Sequence, residues 1–382
     1  MVSFELTEEQ QLIQQTARDF ATRELAPRAA ERDRQGIFPT AELHKLAELG
    51  LMGINIGTAY GGAEAGVVAT SLVITEIARA CASTAVTVSV SNMVAEIICA
   101  FGTEEQKRKY VPRMTGGEYT CSAFALSEPH CGSDAGALRT TAKRVSGGWL
   151  LNGSKQWISH GDHSGVIVVW ARTNPRPGAK GVSAFLVEKG TPGMIIGKHE
   201  EKMGLRGSTT VPLTFEDCQL PEEALIGVEG GGFPVAMTAL DGGRIGVASQ
   251  ALGIGLAALD EAKRYASERQ AFGGPLAALE AIQFMLADCS VEIEAARLLT
   301  LRAALFKEQK RPFTREASMA KVYTTEAANR VCYRALQIHG GYGYTKDYAI
   351  ERLTRDARVT TIYEGTSEIQ RLVIGRDLVK ES

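Results

Sequence analysis

Glu364 lies in Ile362-Tyr363-Glu364-Gly365-Thr366-Ser367-Glu368-Ile369-Gln370-Arg371, a carboxylate between an aromatic residue and a glycine. Such an acid is a candidate for a catalytic role. It is equally suited to be an exposed turn acid or the N-terminal cap of a following helix. Three other stretches carry residue types that make chemistry possible. Ala125-Leu126-Ser127-Glu128-Pro129-His130-Cys131-Gly132-Ser133-Asp134 concentrates Ser, Gly and Asp, whose amides and hydroxyls suit a polar ligand, although the same residues dominate ordinary turns. Trp157-Ile158-Ser159 sets a flat indole beside a small hydroxyl, a pair able to stack on and bond to a heteroaromatic ring, or to fill a sheet core. Gln337-Ile338-His339-Gly340-Gly341-Tyr342-Gly343-Tyr344 ends a helical pattern in glycines, which either cap the helix or let backbone approach a pyrophosphate. A helix precedes those glycines where a strand is required, so a βαβ dinucleotide fingerprint is rejected.

The elements that must position these residues change texture twice along the 382-residue chain. Residues 1–120 read as a helical domain. Thr7 and Gln10 form a capping box ahead of Leu12, Ile13, Ala17 and Phe20 on one helical face, and a second helix runs from Ala41 to Leu49, capped by Thr40 and ended by Gly50. Residues 121–231 read as a β-domain. Trp149 to Leu151 lead into an Asn152-Gly153 hairpin turn and then Lys155 to Ser159, followed by strands at Val166–Arg172, Val182–Val187 and Pro212–Phe215, with the Pro/Gly stretch 174–181 as a connection. No long helical pattern interrupts them, so an antiparallel sheet is expected. Residues 232–382 return to helix, with segments 243–268, 279–309 and 314–338 rich in Ala, Leu, Glu, Arg and Lys. The fold class is therefore α+β multidomain, in the order helix, sheet, helix.

Composition narrows the function classes. A net charge of −2 with 45% hydrophobic and 23% charged residues gives no basic face for nucleic acid or an anionic membrane. Apolar runs such as Ile97–Phe101 and Val166–Ala171 fall far short of the roughly 20 residues that span a bilayer. The acidic start Thr7-Glu8-Glu9-Gln10 lacks the order of a signal peptide, so a soluble chain without an export signal is expected. Seven scattered cysteines with no C-x-x-C pair suggest reduced thiols. The best metal-like cluster, His160-Gly161-Asp162-His163, reads as a polar connection, and no metal is expected.

Taken together, the motifs resemble the acyl-CoA dehydrogenase family over essentially the whole chain. The resemblance rests on Ala-Leu-Ser-Glu-Pro-x-x-Gly-Ser-Asp at 125–134, on the glycine-rich span from Gln337 to Asp356, and on Tyr-Glu-Gly-Thr-Ser-Glu-Ile-Gln at 363–370. Lys202-Met203-Gly204-Leu205-Arg206-Gly207-Ser208, Asp241-Gly242-Gly243-Arg244 and Arg269-Gln270-Ala271-Phe272-Gly273 add to it. It implies an N-terminal helical domain, a middle antiparallel β-domain and a C-terminal four-helix bundle, usually in a homotetramer. It implies FAD, contacted by Phe124, Leu126, Ser127, Ser133, Trp157, Ile158 and Ser159 at the flavin. Arg269, Phe272, Gln337, Gly340, Gly341, Thr366 and Glu368 would hold the adenosine diphosphate half across a subunit interface. Ser133, Asp241, Arg244 and Gly365 would contact the thioester substrate, and Glu364 would abstract its α-proton while the β-hydrogen passes to flavin.

Two departures stand out: His130-Cys131 replaces small residues, and Glu280 stands where relatives often carry a flavin-contacting glutamine. Gly243 occupies the alternative position for the base used by some relatives, and no arginine occurs in 81–100 to hold a distal carboxylate. The implied reaction is α,β-dehydrogenation of a neutral short- to medium-chain, branched or cyclic acyl-CoA, with electron transfer flavoprotein as acceptor. The implied location is a bacterial cytoplasm or a mitochondrial matrix. The rivals are an acyl-CoA oxidase and a non-catalytic CoA-binding protein on the same fold.

Overall fold

The computed structural model describes residues 5–176 and 178–380. The outermost residues of the expected terminal domains, 1–4 and 381–382, and Pro177 of the expected connection lie outside the described residues. Helices α1 (Glu8–Phe20), α2 (Ala29–Gln35), α3 (Thr40–Glu48), α4 (Gly66–Ala80), α5 (Ala82–Phe101) and α6 (Glu104–Thr115) come first. The Thr7–Gln10 capping box forms as expected, with Ala17 and Phe20 buried, but Leu12 is exposed. Thr40 begins α3 instead of capping it; Pro39 holds the cap position. Helix α5 is long and apolar enough to cross a membrane by length and composition, yet 67% of its apolar window is buried inside the protein. Its Ser, Thr and Asn residues break any purely apolar run, which is why a search for such runs passes over it.

The middle of the chain forms strands β1 (Cys121–Ala125), β2 (Thr141–Val145), β3 (Gly148–Ser159), β4 (Ser164–Arg172), β5 (Val182–Glu188), β6 (Met194–Ile196), β7 (Thr210–Pro221) and β8 (Leu225–Ile226). They join one sheet in the order β6-β7-β3-β2-β4-β5-β8, with β1 on β4. The sheet is antiparallel except where β1 runs parallel to β4 and β2 touches β4, because the β2–β3 hairpin intervenes in sequence. Asn152-Gly153 is not the hairpin turn. Val145 pairs with Gly148, so the two-residue turn is Ser146-Gly147, and β3 continues through 152–153. Gly153 marks an irregularity in the β3–β7 register, at φ +141°, where an added Cβ would lie 2.7 Å from Thr140 Cα. Glycine in a strand often signals such close backbone approach, and here that reading outweighs the turn signal.

Helices α7 (Gly232–Glu268), α8 (Glu280–Glu308), α9 (Thr314–His339), α10 (Ile350–Val359) and α11 (Ser367–Lys380) complete the chain. Helix α7 begins eleven residues before the expected 243, because Gly242-Gly243 continues the helix. Helix α9 packs on α7, α8, α10 and α11, and α7 also packs on α4 and α5, so the two helical regions share a core. The sheet's other face closes around Trp149, Phe185, Phe215 and Leu213.

Candidate active site

The connector between α10 and α11 carries Glu364. It adopts φ +54° and is followed by Gly365 at φ +88°, a pair of left-handed residues that turns the chain sharply. Non-glycine residues seldom hold that conformation, so the surrounding structure must enforce it. Lys321 from α9 donates from Nζ to the Gly365 carbonyl at 2.7 Å. Gln370 donates from Nε2 to the Glu364 and Gly365 carbonyls at 3.2 and 3.0 Å. The preceding Tyr363 bonds through its hydroxyl to Gln250 of α7. Thr366, not Glu364, caps α11, its hydroxyl accepting from Ile369 N–H at 3.3 Å.

The Glu364 carboxylate therefore points inward. Its Oε2 is enclosed and has no hydrogen-bond partner among the described residues. Burial pushes its pKa up to about 7, against the pull of Arg244 and Lys321. Gly243 explains how the acid fits: a Cβ there would lie 2.8 Å from Glu364 Oε2 and 3.0 Å from Met93 Sδ. Arg244, buried beside it, donates to Asp241 at 2.5 Å and to Ser318 at 3.3 Å. Asp241 also accepts from Thr314 at 2.6 Å. The structure thus brings Glu364, Gly365, Arg244 and Asp241 into one neighbourhood.

A second group comes from the sheet. Trp157 is 62% exposed at φ +63°, at a break in the β3–β7 register, so the alternative of a sheet-core tryptophan is overturned. Its indole forms an open aromatic platform next to half-buried Ser159 and buried Ile158. Gln156 N–H donates to the Ser127 carbonyl at 2.9 Å, which ties this platform to the loop after β1. Within that loop region Leu126 is buried, Phe124 is half-buried against Trp170, and Ser133 is exposed. Lys155 and Glu128 form a buried ion pair of 2.7 Å beneath the loop.

A third group lines a cleft of about 570 Å³ at the ends of α7 and α9: Arg269, Phe272, Gly340 and Gly341, with Tyr265 and Tyr342. Phe272 is 92% exposed at φ +54°. Gly340 and Gly341 have no heavy atom near a would-be Cβ, and Gln337 is exposed on the last turn of α9. Glu368 is exposed in the first turn of α11.

Sequence reasoning missed Lys321 and Gln370. Lys321 had a signal: with Ala317, Thr324 and Ala328 it falls on one helical stripe, all of it buried. Among the described residues, the donors that approach each other in metal-like fashion are Glu128, His130 and Cys131, within 4.8 Å, not His160-Gly161-Asp162-His163. Glu128 already accepts from Lys155 and from the Arg139 and Thr140 N–H groups, so its carboxylate is occupied.

Three family models match the chain in order: acyl-CoA dehydrogenase, N-terminal domain, over residues 7–118; the middle domain over 123–218; and the C-terminal domain over 230–379. The chain is similar to the mitochondrial short-chain specific acyl-CoA dehydrogenase of Mus musculus, 50% identical over 99% of this chain and 92% of that protein. An acyl-CoA dehydrogenase of Bacillus subtilis is 48% identical over 98% of this chain and 99% of that one. The solved structure of butyryl-CoA dehydrogenase from Megasphaera elsdenii matches with a TM-score of 0.97 at 42% identity, covering 99% of this chain and 100% of that chain.

Proposed function

The chain belongs to the acyl-CoA dehydrogenase family, and from that premise we propose that Glu364 is the base that removes the α-proton of a neutral, short acyl-CoA. The protein is an FAD-dependent oxidoreductase of the acyl-CoA dehydrogenase class. The residues fit the cofactor: an exposed tryptophan platform beside serine hydroxyls suits a flavin ring, and an aromatic, arginine-bearing cleft with two unobstructed glycines suits the diphosphate half. Trp157, Ile158, Ser159, Phe124, Leu126, Ser127 and Ser133 would hold the ring. Arg269, Phe272, Gln337, Gly340, Gly341, Thr366 and Glu368 would hold the remainder. When bound, FAD supplies an acceptor for the β-hydrogen as hydride.

The observation that carries the proposal is the enclosed, unpartnered Oε2 of Glu364 with its pKa raised to about 7. A carboxylate poised there is ionised enough to accept a proton and basic enough to want it. No hydrogen bond among the described residues engages the Glu364 backbone N–H. That leaves it free to donate to the thioester oxygen as charge develops there during proton removal. Arg244, Asp241, Gly365 and Ser133 would position the thioester. The enclosure of Oε2 excludes water, which would otherwise lower the carboxylate's basicity.

Anaerobic titration of the purified yellow protein with acyl-CoAs tests this reading. Bleaching by butyryl-CoA is expected, and a protein that carries no flavin or bleaches with no acyl-CoA would sink it. Rapid peroxide formation in air would point to an oxidase instead. The pH dependence of kcat/KM should be bell-shaped. Glu364 must be deprotonated, so activity rises as pH passes about 7. Burial pushes the neighbouring Lys321 ammonium down to about 8, so its charge is lost as pH rises further, which weakens its bond to Gly365 and its support of the ionised carboxylate. A profile flat from pH 6 to 9 would contradict both assignments.

Phe284, Val291, Leu298 and Leu305 lie seven residues apart on α8 and are all exposed in the single chain. A heptad stripe of this kind is suited to bury against another helix. A second copy of the chain is its occupant in the proposed homotetramer, and a monomer by light scattering would overturn that. Electron transfer flavoprotein is the proposed acceptor. Seven free cysteines suit a reducing compartment, a bacterial cytoplasm or a mitochondrial matrix.

A further inference from the structure

Next to Glu364, Gly242 and Gly243 of α7 present bare backbone. A Cβ on Gly243 would lie 2.8 Å from Glu364 Oε2; one on Gly242 would lie 2.8 Å from Lys307 Nζ and 3.8 Å from Glu96 Oε2. Consecutive residues are only about 3.8 Å apart at Cα, so the base and this ion pair stand at two ends of a short passage. A cavity of about 30 Å³ lies along it, lined by Met93, Gly242, Gly243, Ser249, Glu96 and Lys307 among others.

Three of the four hydroxyl groups of this lining, all but that of Ser89, are already engaged with protein. Ser71 and Ser249 bond to each other at 2.7 Å, Ser249 donates to the Ile245 carbonyl, and Thr70 donates to the Gly66 carbonyl. Among the described residues, Glu96 and Lys307 alone of this lining are charged. They meet at 2.5 Å, Lys307 reaching in from α8 and Glu96 from α5, and Asn55 donates to the other carboxylate oxygen at 2.9 Å. Their side chains are 19% and 24% exposed, so the pair closes the passage on the side facing solvent.

We propose that the Glu96–Lys307 ion pair is the floor of the acyl pocket: it limits the acyl group to a short chain, because a cavity of about 30 Å³ has room for only about two water-sized groups, and it rejects a carboxylate at the far end. This rests on the reading of Glu364 as the base and deepens it. A longer chain must push between lysine and glutamate, breaking a charge-assisted bond and offering nothing polar in return. A distal carboxylate is attracted by Lys307 and repelled by Glu96 at almost the same distance, so the two effects nearly cancel. The absence of arginine from 81–100 therefore does not by itself exclude dicarboxylates, because α8 supplies a cation; Glu96 neutralises it.

The test compares the FAD-loaded wild type with Glu96→Ala/Lys307→Ala and with Glu96→Gln, by anaerobic bleaching with butyryl-, hexanoyl- and glutaryl-CoA. Calorimetric binding of the same ligands in a Glu364→Gln background gives a second readout that needs no turnover. The double variant is expected to raise the hexanoyl-to-butyryl ratio of kcat/KM, and of affinity, by about fivefold or more, the scale of added methylenes in an apolar pocket. Glu96→Gln is expected to raise the glutaryl-to-butyryl ratio by about the same factor, because Lys307 is then unopposed. A smaller change in the first ratio overturns the floor, and a smaller change in the second overturns the charge argument. If the double variant loses its flavin, Lys307→Ala alone opens the same end and is held to the same threshold. Wild type that bleaches with none of these substrates defeats the base assignment, a different outcome from any of these.

Discussion

Glu364→Gln is expected to bind acyl-CoA nearly as well as wild type and yet leave the flavin oxidised, with reduction slowed about a thousandfold, within the span that a positioned general base contributes. The amide has the shape of the acid, and Oε2 has no hydrogen bond to lose, so little in the packing changes. The hold on the turn is made by backbone carbonyls at 364 and 365, which the substitution leaves in place. What disappears is the basic lone pair. The amide does not accept a proton at any pH in the working range, so the defect should persist from pH 6 to 9, whereas wild type recovers as Glu364 ionises near 7. Stopped-flow absorbance of the flavin after mixing with butyryl-CoA measures the rate, and calorimetry measures binding. A variant that reduces as fast as wild type shows that the base lies elsewhere. One that neither binds nor carries flavin shows instead that the carboxylate supports the architecture of the site.

Much of this site was legible in the sequence because its parts are local. The Thr7–Gln10 cap, the α8 and α9 boundaries and the sheet's apolar strands follow from short-range patterns, and they fall where those patterns place them. The Asn152-Gly153 turn failed because a dipeptide signal cannot report that Thr140 lies against Gly153 across the sheet. The role of Trp157 was ambiguous for a related reason: platform or core depends on a break in the β3–β7 register, which the alternation of residue types does not display. Glu364 itself reads in sequence as one acid at a helix start among several. Its environment is assembled from α7, α9 and α11, residues more than 40 positions away in the first two cases, and only that assembly removes water from Oε2. The charged floor was invisible for the same reason: Glu96 and Lys307 are 211 residues apart.

Lys321→Met should slow flavin reduction on the order of a hundredfold at pH 7, the scale of a misplacement by about 1 Å of a reacting group. Lys321 has two connections to the base. Its Nζ holds the Gly365 carbonyl, which helps keep Glu364 and Gly365 at φ +54° and +88°. Its charge also favours the ionised carboxylate, since Lys321 is among the groups that pull the Glu364 pKa down against burial. The charged groups acting on Lys321 itself are Glu364, Arg244, Glu368 and Glu326, with burial the largest influence. Removing the ammonium therefore raises the Glu364 pKa, and the rising limb of the kcat/KM profile should move to higher pH. The falling limb near 8 should vanish, because the group that titrates there is gone. Lys321→Arg keeps a cation and a donor that does not titrate in this range, so it should restore part of the rate and return the rising limb toward about 7, while the falling limb near 8 stays absent. A purely structural lysine would lower the rate without moving either limb. A Met variant that is slow but keeps the wild-type pH profile would therefore reduce Lys321 to a packing residue, and the control of Glu364 would have to be sought in Arg244 alone.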